Sequence, residues 1–246
     1  MKYTDIKSVN LSGHSGESCR ALMEGEVKDT ALTYWTLGPG EHFDLPKCTH
    51  FARVLIVYTG TVAVSSGGET VTLHEQSIYV PSPDVSVKVA ASADAGIIEL
   101  RRYPANGESS ICPGAPALPY VVDYDRAPTY SEDCKSEKTI SRMLIPAGII
   151  TQFAMGSVQT HGDDDVSKHT HPMLEQFFLG LSDNDCTALI DDVEFPFHAD
   201  TLLHIPRGSD HGIRSRGSQS VHYLWLDFLL DETGLTYMEQ THKMNE

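Results

Sequence analysis

The sequence predicts an all-β protein built from two barrel- or sandwich-like blocks joined by a long irregular stretch. Three observations predict it. Short runs rich in Val, Ile, Thr and Tyr recur about every 8–12 residues, each closed by a Gly, Pro, Asn or Asp turn signal. In the first block no helical period of apolar residues survives beyond about two turns. The two blocks also repeat the same order of segments, an internal duplication that is weak in identity.

The first block spans 30–103, with the runs TALTYWTL, ARVLIVYTGTVAV, ETVTLHEQSIYVP and VSVKVA separated by GPGE, SSGGE and PSPD. The stretch 104–138 is proline-rich, and proline fixes φ and removes a ladder donor, so no sheet interior is expected there. Its length without elements of its own marks it as an inter-domain connection. The second block spans 139–230. Its expected strands are SRMLIP, IITQFAMGSV, LEQFFLGL, CTALIDD, VEFPFH, DTLLHIP, GIRSR and VHYLWLDFLL, with turns at PAG, SDND, HAD, PRGSD and RGSQ. The polar end, DETGLTYMEQTHKMNE, reads as a short helix or tail.

With 18 Lys and Arg against 34 Asp and Glu, the 246-residue chain has a formal net charge of -16. That field repels a phosphate backbone and an anionic bilayer, so neither nucleic acid nor a membrane is an expected partner. No run of about 18 apolar residues is present, and the first residues lack the apolar core of a secretory signal. Five cysteines without CxxC spacing suggest neither a disulfide framework nor a thiolate zinc site, and a cytoplasmic location is expected.

The sharpest feature is KHTHPMLEQFF followed by DTLLHIPRGSDHG. His169 and His171 are two apart, so an extended strand points both to one face, and Glu175 would keep that parity. His211 follows a Pro–Gly turn. Three imidazoles and one carboxylate can surround one divalent ion, and this mix suits Mn, Fe, Co, Ni or Zn better than Mg or Ca. A lone HxH recurs by chance; the longer pattern is far more specific.

On these residues the chain resembles the cupin superfamily. Its first motif is met by His169, His171 and Glu175, with Gly162 one residue earlier than the motif's leading glycine, and its second by Pro206, Gly208 and His211. Ser182, Asp200 and Ser215 stand where the motifs carry Gly, Gly and Asn. The resemblance implies two jelly-roll barrels in one chain, with one divalent transition metal (Mn, Fe, Ni or Zn) on His169, His171, Glu175 and His211. The first block resembles an emptied cupin: its ligand positions fall on Lys47, Thr49, Arg53 and Ser86, while His42, His50 and His74 lie off the pattern. In plan the chain is similar to ureidoglycine aminohydrolase bicupins. There a Glu-x-His and a later Gln supply ligands, so that activity is not carried over. Family habit also implies a homodimer.

Arg207, beside the second motif, is the candidate contact for a substrate carboxylate. Asp163, Asp164 and Asp165 could hold a second cation but read more simply as a solvated loop. Alternation sends Tyr223, Trp225 and Asp227 to one face of the last strand, without saying which face is inside. Gln152 or Phe153 is placed to line a cavity, and Cys186 reads as a small buried residue. The leading expectation is a metal-dependent enzyme using Lewis-acid chemistry (isomerase, lyase or hydrolase type) on a small anionic, carboxylate-bearing substrate. The alternatives are a ferrous oxygen-dependent dioxygenase and a non-catalytic small-molecule-binding cupin.

Overall fold

A computed structural model describes residues 7–12, 18–104, 108–241 and 243–244. In chain order its strands are β1 (Ser8–Asn10), β2 (Cys19–Leu22), β3 (Thr30–Leu37), β4 (His42–Leu45), β5 (Ala52–Thr59), β6 (Val62–Ser66), β7 (Glu69–Leu73), β8 (Ile78–Val80), β9 (Val87–Ala91), β10 (Ala95–Arg102) and β11 (Tyr120–Val122). They continue as β12 (Thr129–Ser131), β13 (Ile140–Ile150), β14 (Phe153–His161), β15 (Asp164–His169), β16 (Leu174–Gly180), β17 (Asp185–Ile190), β18 (Val193–His198), β19 (Thr201–Ile205), β20 (His211–Ser215), β21 (Ser220–Leu229) and β22 (Lys243–Met244). One α-helix, α1 (Glu232–Thr241), precedes β22.

The chain divides into two compact units. One is His14–Ala127 with Gly148–Thr151; the other is Met1–Gly13, Pro128–Ala147 and Gln152–Glu246. The first contains sheets ordered β11-β8-β5-β10-β3-β2 and β4-β9-β6-β7. The second repeats the plan, with β19-β16-β21-β14 along one sheet path and β15, β20, β17 and β18 paired in that order. Each unit is therefore a two-sheeted jelly roll, and the duplication extends to strand order. Each also has its own apolar centre: Leu55, Val57, Val64, Val89 and Ile97 in the first, and Phe178, Ala188, Phe197, Ile213 and Tyr223 in the second.

Three elements differ from the sequence reading. The stretch 104–138 is not free of structure, because β11 pairs with β8 and β12 with β13. Proline ends local strands without preventing the residues between prolines from pairing at a sheet edge. β13 runs through Pro146, Ala147 and Gly148, and the chain turns later, at Gln152, whose φ is 57°. Finally β1, ahead of the first block, pairs with β19 of the second. No local pattern could reveal that distant partner.

Gly156 of β14 lies opposite Trp225 of β21, and a Cβ there would collide with the Trp225 indole and the Arg142 carbonyl oxygen. Neither can retreat, since Trp225 is 4% exposed and its Nε1 donates to Tyr130 Oη at 3.0 Å. Gly156→Ala is expected to cost about 1–3 kcal/mol by overpacking, measured by chemical denaturation.

Candidate metal centre

β15 and β20 are antiparallel neighbours, and their facing ends carry His169 and His211 as a cross-strand pair. Between Val166 and His169 the register shifts, so β15 bulges and turns His169 towards its partner. Gly212 permits the bulge: a Cβ there would lie 2.6 Å from the Val166 carbonyl oxygen. His171 stands beyond the end of β15. Its carbonyl accepts from Gly208 N at 3.2 Å, and Arg207 Nε donates to the Pro172 carbonyl at 2.6 Å. The turn after β19 thus clamps the loop that carries His171.

The three rings converge. Their centroids are 4.7 Å (169–171), 4.7 Å (169–211) and 5.2 Å (171–211) apart, and one ligand atom from each falls within 4.8 Å of the others. This is the only such cluster of possible metal ligands among the described residues. His169 Nδ1 lies 2.7 Å from the Ser167 carbonyl and His211 Nδ1 lies 3.0 Å from that of Ser209. A carbonyl only accepts, so in the neutral ring each Nδ1 carries the proton and each Nε2 keeps its lone pair. Such outer hydrogen bonds fix tautomer and orientation in metal-ligating histidines. Burial, followed by repulsion from His169, pushes the His211 pKa down to about 4, so its lone pair is available at neutral pH.

The triad lines a cavity of about 260 Å³ that also includes Gln176, Tyr130, Lys135, Trp225 and Asp227. That is small beside the roughly 300–1,000 Å³ of typical ligand sites. Tyr223, Trp225 and Asp227 share this side of β21, which settles the alternation left open by sequence. α1 adds another wall: Asp231 Oδ1 accepts from Thr233 N at 2.9 Å at its start, and the Tyr237 ring sits 5.1 Å from that of His171.

Lys135 is the cavity's cation. It comes from the segment read as a connection and is fixed by Glu132 at 2.7 Å, with Tyr130 Oη at 3.3 Å and Ser141 Oγ at 3.1 Å. The segment is tied down by Ser167 N donating to the Cys134 carbonyl at 2.9 Å and by Ser136 and Thr139 hydroxyls donating to Asp164. Asp164 also accepts from Thr160, so its oxygens serve an anchor, while Asp165 pairs with the exposed Arg216.

Two expected site residues lie elsewhere. Glu175 is on the other face of β16, with Oε2 3.7 Å from His204 Nε2, and it is not part of the triad's cluster. The parity argument required one continuous strand, but β15 ends at His169 and β16 begins at Leu174. The intervening turn resets the alternation, and Gln176 takes the inward place. Arg207 is exposed, bonded to the Pro172 carbonyl and absent from the cavity wall.

In the first unit the inward position on β5 is Arg53, held by Glu99 of β10 at 2.8 Å and by the Pro46 carbonyl at 2.9 Å. A buried ion pair thus occupies the place on β5 that the motif gives to a ligand.

No protein-family model and no curated protein matches the chain. Solved structures do. The oxalate decarboxylase of Lactobacillus farciminis is 11% identical with a TM-score of 0.70, over 94% of this chain and 88% of that one. An IolB-like protein of Salmonella typhimurium is 14% identical with a TM-score of 0.67, over 90% and 92% of the two chains. A cupin 2 conserved barrel domain protein of Leptotrichia buccalis is 10% identical with a TM-score of 0.64, over 91% and 96%. The chain has a bicupin fold. Within this fold, the cluster of possible metal ligands is in the second barrel.

Cys134 lines the same cavity, yet burial, followed by the charge of Glu132, pushes its thiol pKa up to about 11. Burial likewise raises Cys186 to about 12. At pH 8 only about one Cys134 in a thousand is thiolate, the reactive form. Iodoacetamide at that pH is expected to label the exposed Cys19 first and to spare Cys134 and Cys186 in the folded protein, read by mass spectrometry.

Proposed function

We propose that the chain is a metal-dependent enzyme acting by Lewis-acid chemistry on a small, carboxylate-bearing substrate in the second barrel. His169, His171 and His211 hold the ion. The observation that carries the reading is the convergence of three imidazoles, two with their proton-bearing nitrogens tied to carbonyls two residues upstream. The site chemistry fits a divalent transition metal: His211 Nε2 is buried without a hydrogen-bond partner, and nitrogen donors favour Mn, Fe, Co, Ni or Zn over Ca and Mg. Such an ion, when bound, stabilises negative charge that develops on a substrate oxygen.

The chain's own residues supply orientation. Lys135 Nζ brings a positive charge to the cavity wall, its N–H groups engaged by Glu132, Tyr130 Oη and Ser141 Oγ and the Tyr130 ring centroid 4.9 Å away. Trp225 Nε1 and Lys135 Nζ both donate to Tyr130 Oη, which fixes the phenol. Phe178, Tyr223 and Trp225 make an aromatic wall that excludes water and strengthens charge interactions inside. The small volume favours a substrate of few atoms. Oxalate decarboxylase, similar in fold, is named for a dicarboxylate of that size. The net charge of -16 does not steer an anion inward, so local cations must bind it.

Calorimetry on Mn-loaded protein tests this reading. Oxalate or malate is expected to bind, and glycerol or glucose is not. Binding of the neutral compounds alone would contradict a carboxylate substrate. On protein fully loaded with Mn, Arg207→Ala is expected to lower anion affinity far less than loss of Lys135 does, because Arg207 is outside the cavity and acts only through the loop that carries His171.

A further inference from the structure

We infer that the side-chain amide oxygen of Gln176 is the fourth protein donor to the metal ion, and that Asp227 is the residue that turns it inward. The inference deepens the proposed function and rests on its metal site.

Gln176 is 5% exposed and shares the cavity with the triad. Its amide has a donating and an accepting end. Gln176 Nε2 donates to Asp227 Oδ1 at 2.8 Å. A carboxylate accepts only, so this contact decides which end faces Asp227 and leaves Oε1 facing away from it. Oε1 is buried and has no hydrogen-bond partner. An unsatisfied buried acceptor is costly and calls for an explanation. His211 Nε2 is a second such acceptor in the same cavity. Two lone pairs without donors, facing one space beside two further imidazoles, are complementary to a cation.

The pairing also answers a charge question. Gln176 and Asp227 are direct cross-strand partners of β16 and β21. A glutamate at position 176 would place a second carboxylate against Asp227, a repulsion that glutamine removes. Four neutral donors leave the ion both of its positive charges, whereas a carboxylate donor would cancel one. The ion itself then attracts an anionic substrate more strongly, an effect partly offset by the Asp227 carboxylate in the same cavity wall. Asp227 is thus a positioning residue that acts on the ion through the amide.

The test is Co²⁺ titration by calorimetry at pH 7 on the full chain, with the Co²⁺ absorption spectrum as a second readout and circular dichroism confirming each fold. Gln176→Ala is expected to weaken Co²⁺ binding by about 10–100-fold and to alter the spectrum. Asp227→Asn, which no longer dictates the amide's direction, is expected to weaken it by about tenfold. Gln176→Glu should also bind more weakly than the parent. The Gln176→Glu, Asp227→Asn double variant should recover affinity above either single change, because the Asn amide then holds the new carboxylate and points it inward. A parent that binds one Co²⁺ with variants that match it in affinity and spectrum would overturn the role of Gln176 and Asp227 alone. A parent that binds no Co²⁺ would overturn the metal site itself.

Discussion

Replacing His171 with alanine is expected to strip the metal from the purified protein and to weaken Mn²⁺ or Co²⁺ binding at least 100-fold. His171 sits on a loop held by Gly208 N and Arg207, and two remaining imidazoles make an incomplete set. The same loss is expected for His211→Ala. The fold should survive, since both rings line a cavity and only His211 also meets the apolar centre, edge-on to Phe178 at 5.7 Å. Ser86→Ala, at the matching motif position of the first barrel, is exposed and should leave metal content unchanged. Elemental analysis of the three variants, prepared side by side, reads this directly.

Lys135→Met is expected to have two effects. It leaves Glu132, 13% exposed at its side chain, without its 2.7 Å partner, and stranding one member of a buried pair costs about 3–5 kcal/mol. Removing both charges, with Glu132→Gln and Lys135→Met together, should restore most of that stability. Anion binding behaves differently: it should fall at least tenfold in the single variant and stay low in the double one. Denaturant unfolding and oxalate calorimetry on both variants separate the two effects. Recovery of oxalate affinity in the double variant would show that Lys135 is a structural partner of Glu132 and no more.

The sequence placed the site in the second block because HxH and PxGxxH are short, local patterns, and each is set by a single β-structure and its turn. Glu175 departs from the expected parity for an equally local reason. Two-residue parity holds only within one strand, and Pro172 lies in a turn between β15 and β16. The distinction between Glu175 and Gln176 therefore depended on where a strand begins, and strand ends are the least legible feature of a sequence. Arg207 lies close to His211 in the sequence, yet its guanidinium faces a backbone carbonyl. Lys135 was hidden because nothing in a proline-rich stretch shows that hydroxyls at Ser136 and Thr139 fasten it to Asp164 of another strand. The alternation of Tyr223, Trp225 and Asp227 was readable, but its inward face became visible only from the packing of Phe178 and Phe197 against it.

The central claim, one metal site confined to the second barrel, is tested most directly by the metal content of the purified chain. Inductively coupled plasma analysis, on protein grown with ample transition metals and freed of loose ions, is expected to give one Mn, Fe, Co, Ni or Zn per chain, falling to zero in His171→Ala. Two ions per chain, or one ion that persists in His171→Ala, would contradict it.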